Sequence, residues 1–254
     1  MNAQPTYVRP TGVEDAISIK ASLGAAGIYG CGLTAAQLGW GVKGPEQTII
    51  DIAGLDLGAD VCLADSGSMV LAANASLECL RLDPLISRQL PWFAKFLRYV
   101  GSTAMRNQAS LGGNLLWGAG DLEVLFAAVD AKLRFAGDGR AQSLGPTVSD
   151  QPEDLLISII VPALQGQRIF VEKLGHRQAF SPSRVVVAGC VGRQSARLAV
   201  RLAGHPVVLV ETSWPMNGPL DDALFTGDTD IHLKTVAHNL LRGHLAQLAQ
   251  QDMA

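Results

Sequence analysis

The chain has 254 residues, 48% apolar and 17% charged, and 20 basic against 23 acidic side chains give it a formal charge of −3. Such apolar content excludes a disordered chain, and the length suits one large domain or two modest ones. No Lys/Arg run is present, which argues against a nucleic-acid or anionic-membrane surface, and no apolar stretch reaches the roughly 18 residues of a membrane span.

The opening Met1-Asn2-Ala3-Gln4-Pro5 lacks the charged and apolar regions of a signal peptide, so a cytoplasmic protein is expected. Cys31, Cys62, Cys79 and Cys190 are scattered, with no C-x-x-C pair, which argues against zinc, iron–sulfur and disulfide frameworks. A mean hydropathy of +0.22 and a charged fraction below the usual ~25% suggest a subunit that hides surface in a complex.

A helix is expected from Thr11, with Thr11 as N-cap and Glu14 completing a capping box. A strand at Ile28-Tyr29 runs into the turn Gly30-Cys31-Gly32, and a second strand covers Thr48–Ile52. Strands Val61–Ala64 and Met69–Ala72 flank the turn Asp65-Ser66-Gly67-Ser68. Helices are expected around Ser76–Leu80 and from Asp83 to Val100, the second broken or kinked by Pro91. The glycine-rich stretch Ser110–Gly120 precedes an apolar helix, Leu122–Val129, and a strand, Lys132–Ala136.

Residues 137–153 read as a connecting loop. Five strand-like runs follow, at 155–161, 169–174, 184–191, 196–202 and 206–211, with the spacing of an antiparallel meander. After a loop at 213–219, Thr229 or Asp230 can cap a last helix, whose apolar face runs Leu233, Val236, Ala237, Leu240, Leu241, Leu245 and Leu248.

Chemistry is most visible at Ser110-Leu111-Gly112-Gly113-Asn114. Paired glycines let a phosphate reach backbone N–H groups, with Ser110 and Asn114 adding side-chain hydrogen bonds; equally, they form a tight turn. Asp121 can accept from ribose hydroxyls or cap its helix. Gly30-Cys31-Gly32-Leu33-Thr34 follows a strand, where a diphosphate can also sit, but it is no G-x-G-x-x-G fingerprint, so a Rossmann nicotinamide site is not supported. Cys31 reads as a reactive thiol or a small buried residue, and Lys173 as a cation beside an anionic cofactor or an exposed strand lysine. His232, His238 and His244 recur every six residues and cannot share a metal from one helix face.

Taken together, the segments resemble the FAD-binding medium subunit of the molybdenum hydroxylases, the group that includes the medium subunit of carbon monoxide dehydrogenase and the flavin portion of xanthine dehydrogenase. The resemblance is carried by Tyr7-Val8-Arg9-Pro10-Thr11, by Thr48–Ile52 and above all by Gly101-Ser102 through Leu115. It continues at Gly120-Asp121-Leu122, at Glu153-Asp154-Leu155-Leu156 with Pro162, and at Glu172–Arg177.

The resemblance implies an α+β architecture. A two-lobed PCMH-type FAD-binding domain would occupy 1–165 (lobes about 1–54 and 55–165), followed by a smaller domain of antiparallel strands and helices at 166–254. It also implies a flavin carrier within a heterotrimer. A large subunit would hold molybdenum-pterin and a small one two [2Fe–2S] clusters, arranged as a dimer of heterotrimers. By the same carry-over Ser110, Gly112, Gly113 and Asn114 hold the FAD diphosphate, and Asp121 contacts the ribose. Leu156 or a neighbour packs on the flavin ring, and Lys173 lies near its polar edge.

The first loop departs from the family's Ala-Gly-Gly-Thr-Asp-Leu: the hydroxyl expected at Leu33 is missing unless Thr34 replaces it, and Trp117 stands for a small residue. Two readings therefore stay open, a working FAD subunit or a flavin-poor docking subunit of the same type of complex.

Overall fold

The computed structural model describes residues 6–39, 47–137, 141–144, 154–177, 181–216, 220 and 230–253. The architecture is α+β, and among the described residues the strands form three sheets. The first is small and parallel: β1 (Tyr7–Val8) and β2 (Gly27–Gly30) flank β3 (Thr48–Asp51). Helix α1 (Val13–Leu23) links β1 to β2. Its N-cap is Gly12, not Thr11, and the box is closed by Asp15, whose Oδ2 accepts from the Thr11 N–H and hydroxyl at 2.7 and 3.0 Å. Glu14 is replaced in that role by its neighbour because the helix starts one residue later than expected.

The second sheet is antiparallel, in the order β4 (Val61–Leu63), β5 (Met69–Ala72), β8 (Leu156–Val161), β6 (Lys132–Phe135), β7 (Ala141–Ser143). Two expectations are corrected here. The run at 155–161 does not start the C-terminal meander but inserts between β5 and β6, and the stretch 137–153 contains β7, the rest of it lying mostly outside the described residues. This strand is flanked on both edges, and its Leu156, Ser158, Ile159 and Val161 are buried while Ile157 and Ile160 are half-buried.

Helices α3 (Leu77–Leu82), α4 (Pro84–Gln89) and α5 (Pro91–Leu97) pack on one another and share this sheet's hydrophobic core. The break falls at Leu90, because Pro91 cannot continue the preceding helix and instead opens the next at its first position. Asp83 caps α4 by accepting from the N–H groups of Leu85 and Ile86 at 2.8 and 2.9 Å.

The third sheet is the meander β9 (Arg168–Gly175), β10 (Ser183–Val191), β11 (Ser195–Leu202), β12 (Val208–Ser213). Its two faces have different partners. Phe170, Val185, Val187, Leu198 and Val200 pack on α9 (Ile231–Met253) through Leu233, Ala237, Leu241 and Leu245. Val186, Ala188 and Ala199 join the core of the second sheet instead, against α8 (Asp121–Ala128), all of whose residues are buried. Asp230 accepts from the His232 N–H at the start of α9, while Thr229 lies outside the described residues. His244 stacks on Phe170 and bonds Glu172 at 2.7 Å, and no group of three or more metal-ligating side chains occurs among the described residues. Nor is any described helix long and apolar enough to cross a membrane.

Candidate flavin site

The first glycine turn leaves β2 at Gly30. At Gly32 φ is +66°, and a Cβ there would lie 1.9 Å from the backbone oxygen of Gln108, so no side chain fits. Leu33 also has φ > 0, at +54°, an uncommon conformation for a leucine that costs on the order of 1 kcal/mol. Its side chain folds back over Gly30, where an added Cβ would meet Leu33 Cδ2 at 2.7 Å. The missing hydroxyl at this position is thus replaced by a leucine packed along the loop. The turn ends in α2 (Ala36–Gly39), where Gln37 N–H donates to Leu33 O at 3.0 Å. No acceptor among the described residues takes the N–H groups of Gly32, Leu33, Thr34 or Ala35.

The second loop is built differently. After α6 (Thr103–Gln108), residues 109–112 run beside 73–77: Leu77 N–H donates to Ala109 O, Leu111 N–H to Ala75 O and Gly112 N–H to Ala73 O, at 2.9, 3.0 and 2.7 Å. Buried Ser110 caps α7 (Leu111–Leu116), its Oγ accepting from Gly113 N–H at 3.1 Å. Gly112 faces inward, since a Cβ there would meet Ala73 O at 3.0 Å and Leu156 Cδ2 at 3.3 Å. The expectation that both glycines open toward a phosphate is therefore corrected. Gly112 is a packing glycine, and Leu156 lies enclosed beneath it, not facing outward as a ring-stacking residue would. Gly113, one helical step round, is exposed.

The two loops meet although some 80 residues separate them. Gly32 abuts Gln108, the Cys31 thiol lies beside Ser110, and Cys31 Sγ is 3.7 Å from Asn74 O. Burial pushes the Cys31 thiol up, with nearby Asp51 adding to the shift and the Ser110 contact opposing it. Cys31 is thus a small packing residue and not an activated nucleophile.

Beyond Asn114 the chain closes on itself. Asn114 Oδ1 accepts from Leu122 N–H at 3.1 Å, and a Cβ on Gly120 would sit 1.6 Å from Asn114 O. Trp117, within this closure, is 40% exposed. Asp121 does not cap α8; Asn114 does. Buried Asp121 instead accepts from Lys173 Nζ at 2.7 Å and from Arg201 Nη2 at 3.3 Å. Arg201 Nη1 donates to Gly120 O at 2.5 Å and lies 3.9 Å from Glu123 Oε2. Burial raises the Glu123 carboxyl, Arg201 opposing, and lowers Arg201, with Asp121 and Glu123 opposing. Lys173 is buried, which excludes the exposed-lysine reading.

Gln108, Asn74 and Arg201 were not marked by the sequence pattern. For Arg201 the pattern points elsewhere: Arg197 and Arg201 share one face of a strand whose other face, Ala196, Leu198, Val200 and Leu202, is apolar, which ordinarily means a solvated face.

A left-handed glycine, a bare glycine at Gly113 and open N–H groups on one loop, with nearby carboxylates already neutralised by Lys173 and Arg201, fit the diphosphate of a dinucleotide. The class so defined is a two-loop flavin-binding fold. Residues 2–164 match the family model for the FAD binding domain in molybdopterin dehydrogenase, and the chain belongs to that family. It is thus the FAD-binding part of a molybdenum-containing oxidoreductase.

Solved structures share the fold. Quinoline 2-oxidoreductase from Pseudomonas putida 86 is similar over 100% of both chains, with a TM-score of 0.79 and 16% identity. Carbon monoxide dehydrogenase from Hydrogenophaga pseudoflava, in a form lacking the Mo-pyranopterin moiety, covers 82% of this chain and 78% of its own, with a TM-score of 0.73 and 18% identity. Carbon monoxide dehydrogenase from Oligotropha carboxidovorans covers the same shares at a TM-score of 0.74 and 17% identity. No curated protein sequence matches the chain.

Proposed function

We propose that the chain is the FAD-carrying electron-transfer subunit of a cytoplasmic molybdenum hydroxylase or dehydrogenase. Its partners are a large molybdenum-pterin subunit and a small subunit with [2Fe–2S] clusters, assembled as a dimer of heterotrimers. FAD, when bound, accepts electrons from the iron–sulfur subunit and passes them to an external acceptor. The protein's part is to bind and orient it.

The N–H groups of Gly32, Leu33, Thr34 and Ala35 face the diphosphate, with the Thr34 hydroxyl standing in for the one absent at Leu33. Gly113 gives the second approach, shaped by Ser110 and Asn114. Gly30 and Cys31 hold the first turn in place, and Gly112 and Leu156 support the second from below. Asp121 anchors Lys173 and keeps lone pairs on its carboxylate for a ribose hydroxyl. Lys173 supplies the cation on the flavin side of the site.

The observation that carries this reading is the contact of Gly32 with Gln108, which joins open backbone donors to the second glycine loop. It also disfavours the flavin-poor docking subunit, because Leu33 folds back over Gly30 and leaves the first loop unblocked. The test is the visible spectrum and released-cofactor analysis of protein purified with its natural partners. About one FAD per chain is expected; iron–sulfur and molybdenum signals without FAD would establish the docking reading instead.

A further inference from the structure

The α8 face of the third sheet is organised in cross-strand rows. Lys173, Val186 and Arg201 form one row across β9, β10 and β11, and Ile169, Cys190, Arg197 and Glu211 form another row four residues along β11. The first row meets the start of α8, where Arg201 holds Gly120 O and Asp121 and Lys173 holds Asp121. The second meets its end, where Arg197 Nε donates to Ala127 O at 2.9 Å and Nη2 pairs with Asp130 at 3.2 Å. From Arg197 to Arg201 is about 13 Å along a strand, and from Asp121 to Asp130 about 13 Å along a helical path, so one strand reaches both ends.

The two ends differ in what lies beyond them. Past Ala127 and Asp130 the chain enters β6. At the other end, Gly120 is wedged against the Asn114 backbone oxygen, and Leu122 N–H is held by Asn114 Oδ1. Whatever fixes Gly120 and Asp121 therefore fixes Asn114, and Asn114 follows Gly113 directly.

We infer that Arg201 is a positioning residue for the flavin site, acting from the C-terminal sheet through Gly120, Asp121 and Asn114 on the shape of the Gly113 loop. The inference rests on reading Gly113 as part of the FAD diphosphate site. Among the described residues, the hydrogen bonds and ion pairs of Arg201 go to Gly120, Asp121 and Glu123. Its guanidinium is suited to the task because its planar fork presents separate N–H groups to a carbonyl and a carboxylate at fixed angles, where a lysine ammonium is a single donor centre on a flexible stem.

The experiment titrates FAD into the flavin-stripped full-length chain and follows flavin fluorescence, with thermal unfolding of each apo variant alongside. Arg201→Met is expected to weaken FAD binding about tenfold or more. Arg197→Met removes the clamp at the far end of α8, so it is expected to lower the melting temperature while leaving FAD affinity unchanged. A merely structural role would move both variants alike, and equal weakening by Arg197→Met would overturn the inference. So would unchanged FAD affinity in Arg201→Met.

If Arg201→Met does not fold, Arg201→Lys decides: it keeps the charge but replaces the fixed two-nitrogen fork by a single ammonium nitrogen on a flexible stem. Weakened FAD binding at an intact fold supports positioning, and unchanged affinity overturns it. Gly113→Asp separates this inference from the site reading beneath it. If that variant binds FAD normally, the site itself is misplaced; if it loses FAD while Arg201→Met keeps it, only the role of Arg201 falls.

Discussion

The two glycine loops contrast in how they come to be glycine-rich. In the first, Gly32 is glycine because the backbone is left-handed and a neighbouring carbonyl fills the Cβ position, and the following N–H groups are left open. In the second, the N–H groups of Leu111, Gly112, Gly113 and Asn114 are all taken within the chain, and Gly112 is glycine so that α7 can lie on β5 and β8. One loop offers donors; the other is a rigid wall that offers room. A glycine pair in a sequence does not distinguish these uses, because both require the absence of a side chain.

The contrast is broken most severely at the contact between the loops. Gly32→Ala places a methyl group 1.9 Å from the Gln108 oxygen at φ +66°, so the first turn has to leave its seat. The expected result is complete loss of bound FAD in the purified chain, with far-ultraviolet circular dichroism little changed. Retention of flavin would mean that the first loop is not part of the site.

The neighbouring pair Gly112 and Gly113 should separate by property. Gly113→Asp places a carboxylate on the exposed side of the loop, its Cβ 2.9 Å from the capping Ser110 Oγ, and is expected to abolish flavin retention with only a modest fall in melting temperature. Gly112→Ala inserts a methyl group into a closed contact and is expected to cost about 1–3 kcal/mol in denaturant unfolding, with FAD affinity of the folded fraction much less affected. A reversal of these two outcomes would show that the loop is turned the other way about its axis.

That reversal is also where sequence reasoning stopped. The strands, the proline-opened helices and the apolar face of α9 were legible because each depends on local period and turn chemistry. The family's glycine segment was legible as a pattern, but Gly112 and Gly113 differ only by about 100° of helical rotation, which no spacing rule resolves before α7 is placed. The strand at Leu156–Val161 was legible as a strand, but its seat between β5 and β6 depends on pairings such as Ala72 with Ser158 and Lys132 with Ile160, 86 and 28 residues apart, and these are set by tertiary packing. Arg201 was illegible for a related reason. A polar strand face means solvent unless another element covers it, and here α8 covers it.

Acid should loosen the wall before it affects the donor loop. Arg106, two residues before Gln108, is buried against Glu78 at 2.6 Å and donates to Gly101 O at 2.9 Å, while Arg81 binds the other side of the same carboxylate. The hydrogen bond from Arg81, helped by that from Arg106 and opposed by burial, holds the Glu78 carboxyl down to about 2 from its ordinary 4.5. A carboxylate with a lowered folded value contributes its full stability above the ordinary value and loses it as pH falls through the folded one. Stability should therefore decline between about pH 4.5 and pH 2 from this group. Glu78→Gln should be less stable than the unaltered chain at neutral pH, with that difference shrinking across the same interval in denaturant melts. A constant difference would remove Glu78 from the acid response.

The smallest effects concern the hydroxyl that the first loop lacks. Because the Leu33 side chain lies on Gly30 and not across the open N–H groups, Leu33→Ser is expected to lower stability by loss of apolar packing, on the order of 1 kcal/mol, without tightening FAD binding. Thr34→Val removes a hydroxyl of nearly the same shape and is expected to weaken FAD binding by about 0.5–1.5 kcal/mol, roughly two- to tenfold, with stability close to that of the unaltered chain. The pair decides how the loop compensates. If Thr34→Val has no effect and Leu33→Ser binds FAD more tightly, the hydroxyl belongs at position 33 and the leucine is a true loss. If the expected order holds, the chain has moved the contact one residue along, and the left-handed leucine is what makes that shift fit the turn.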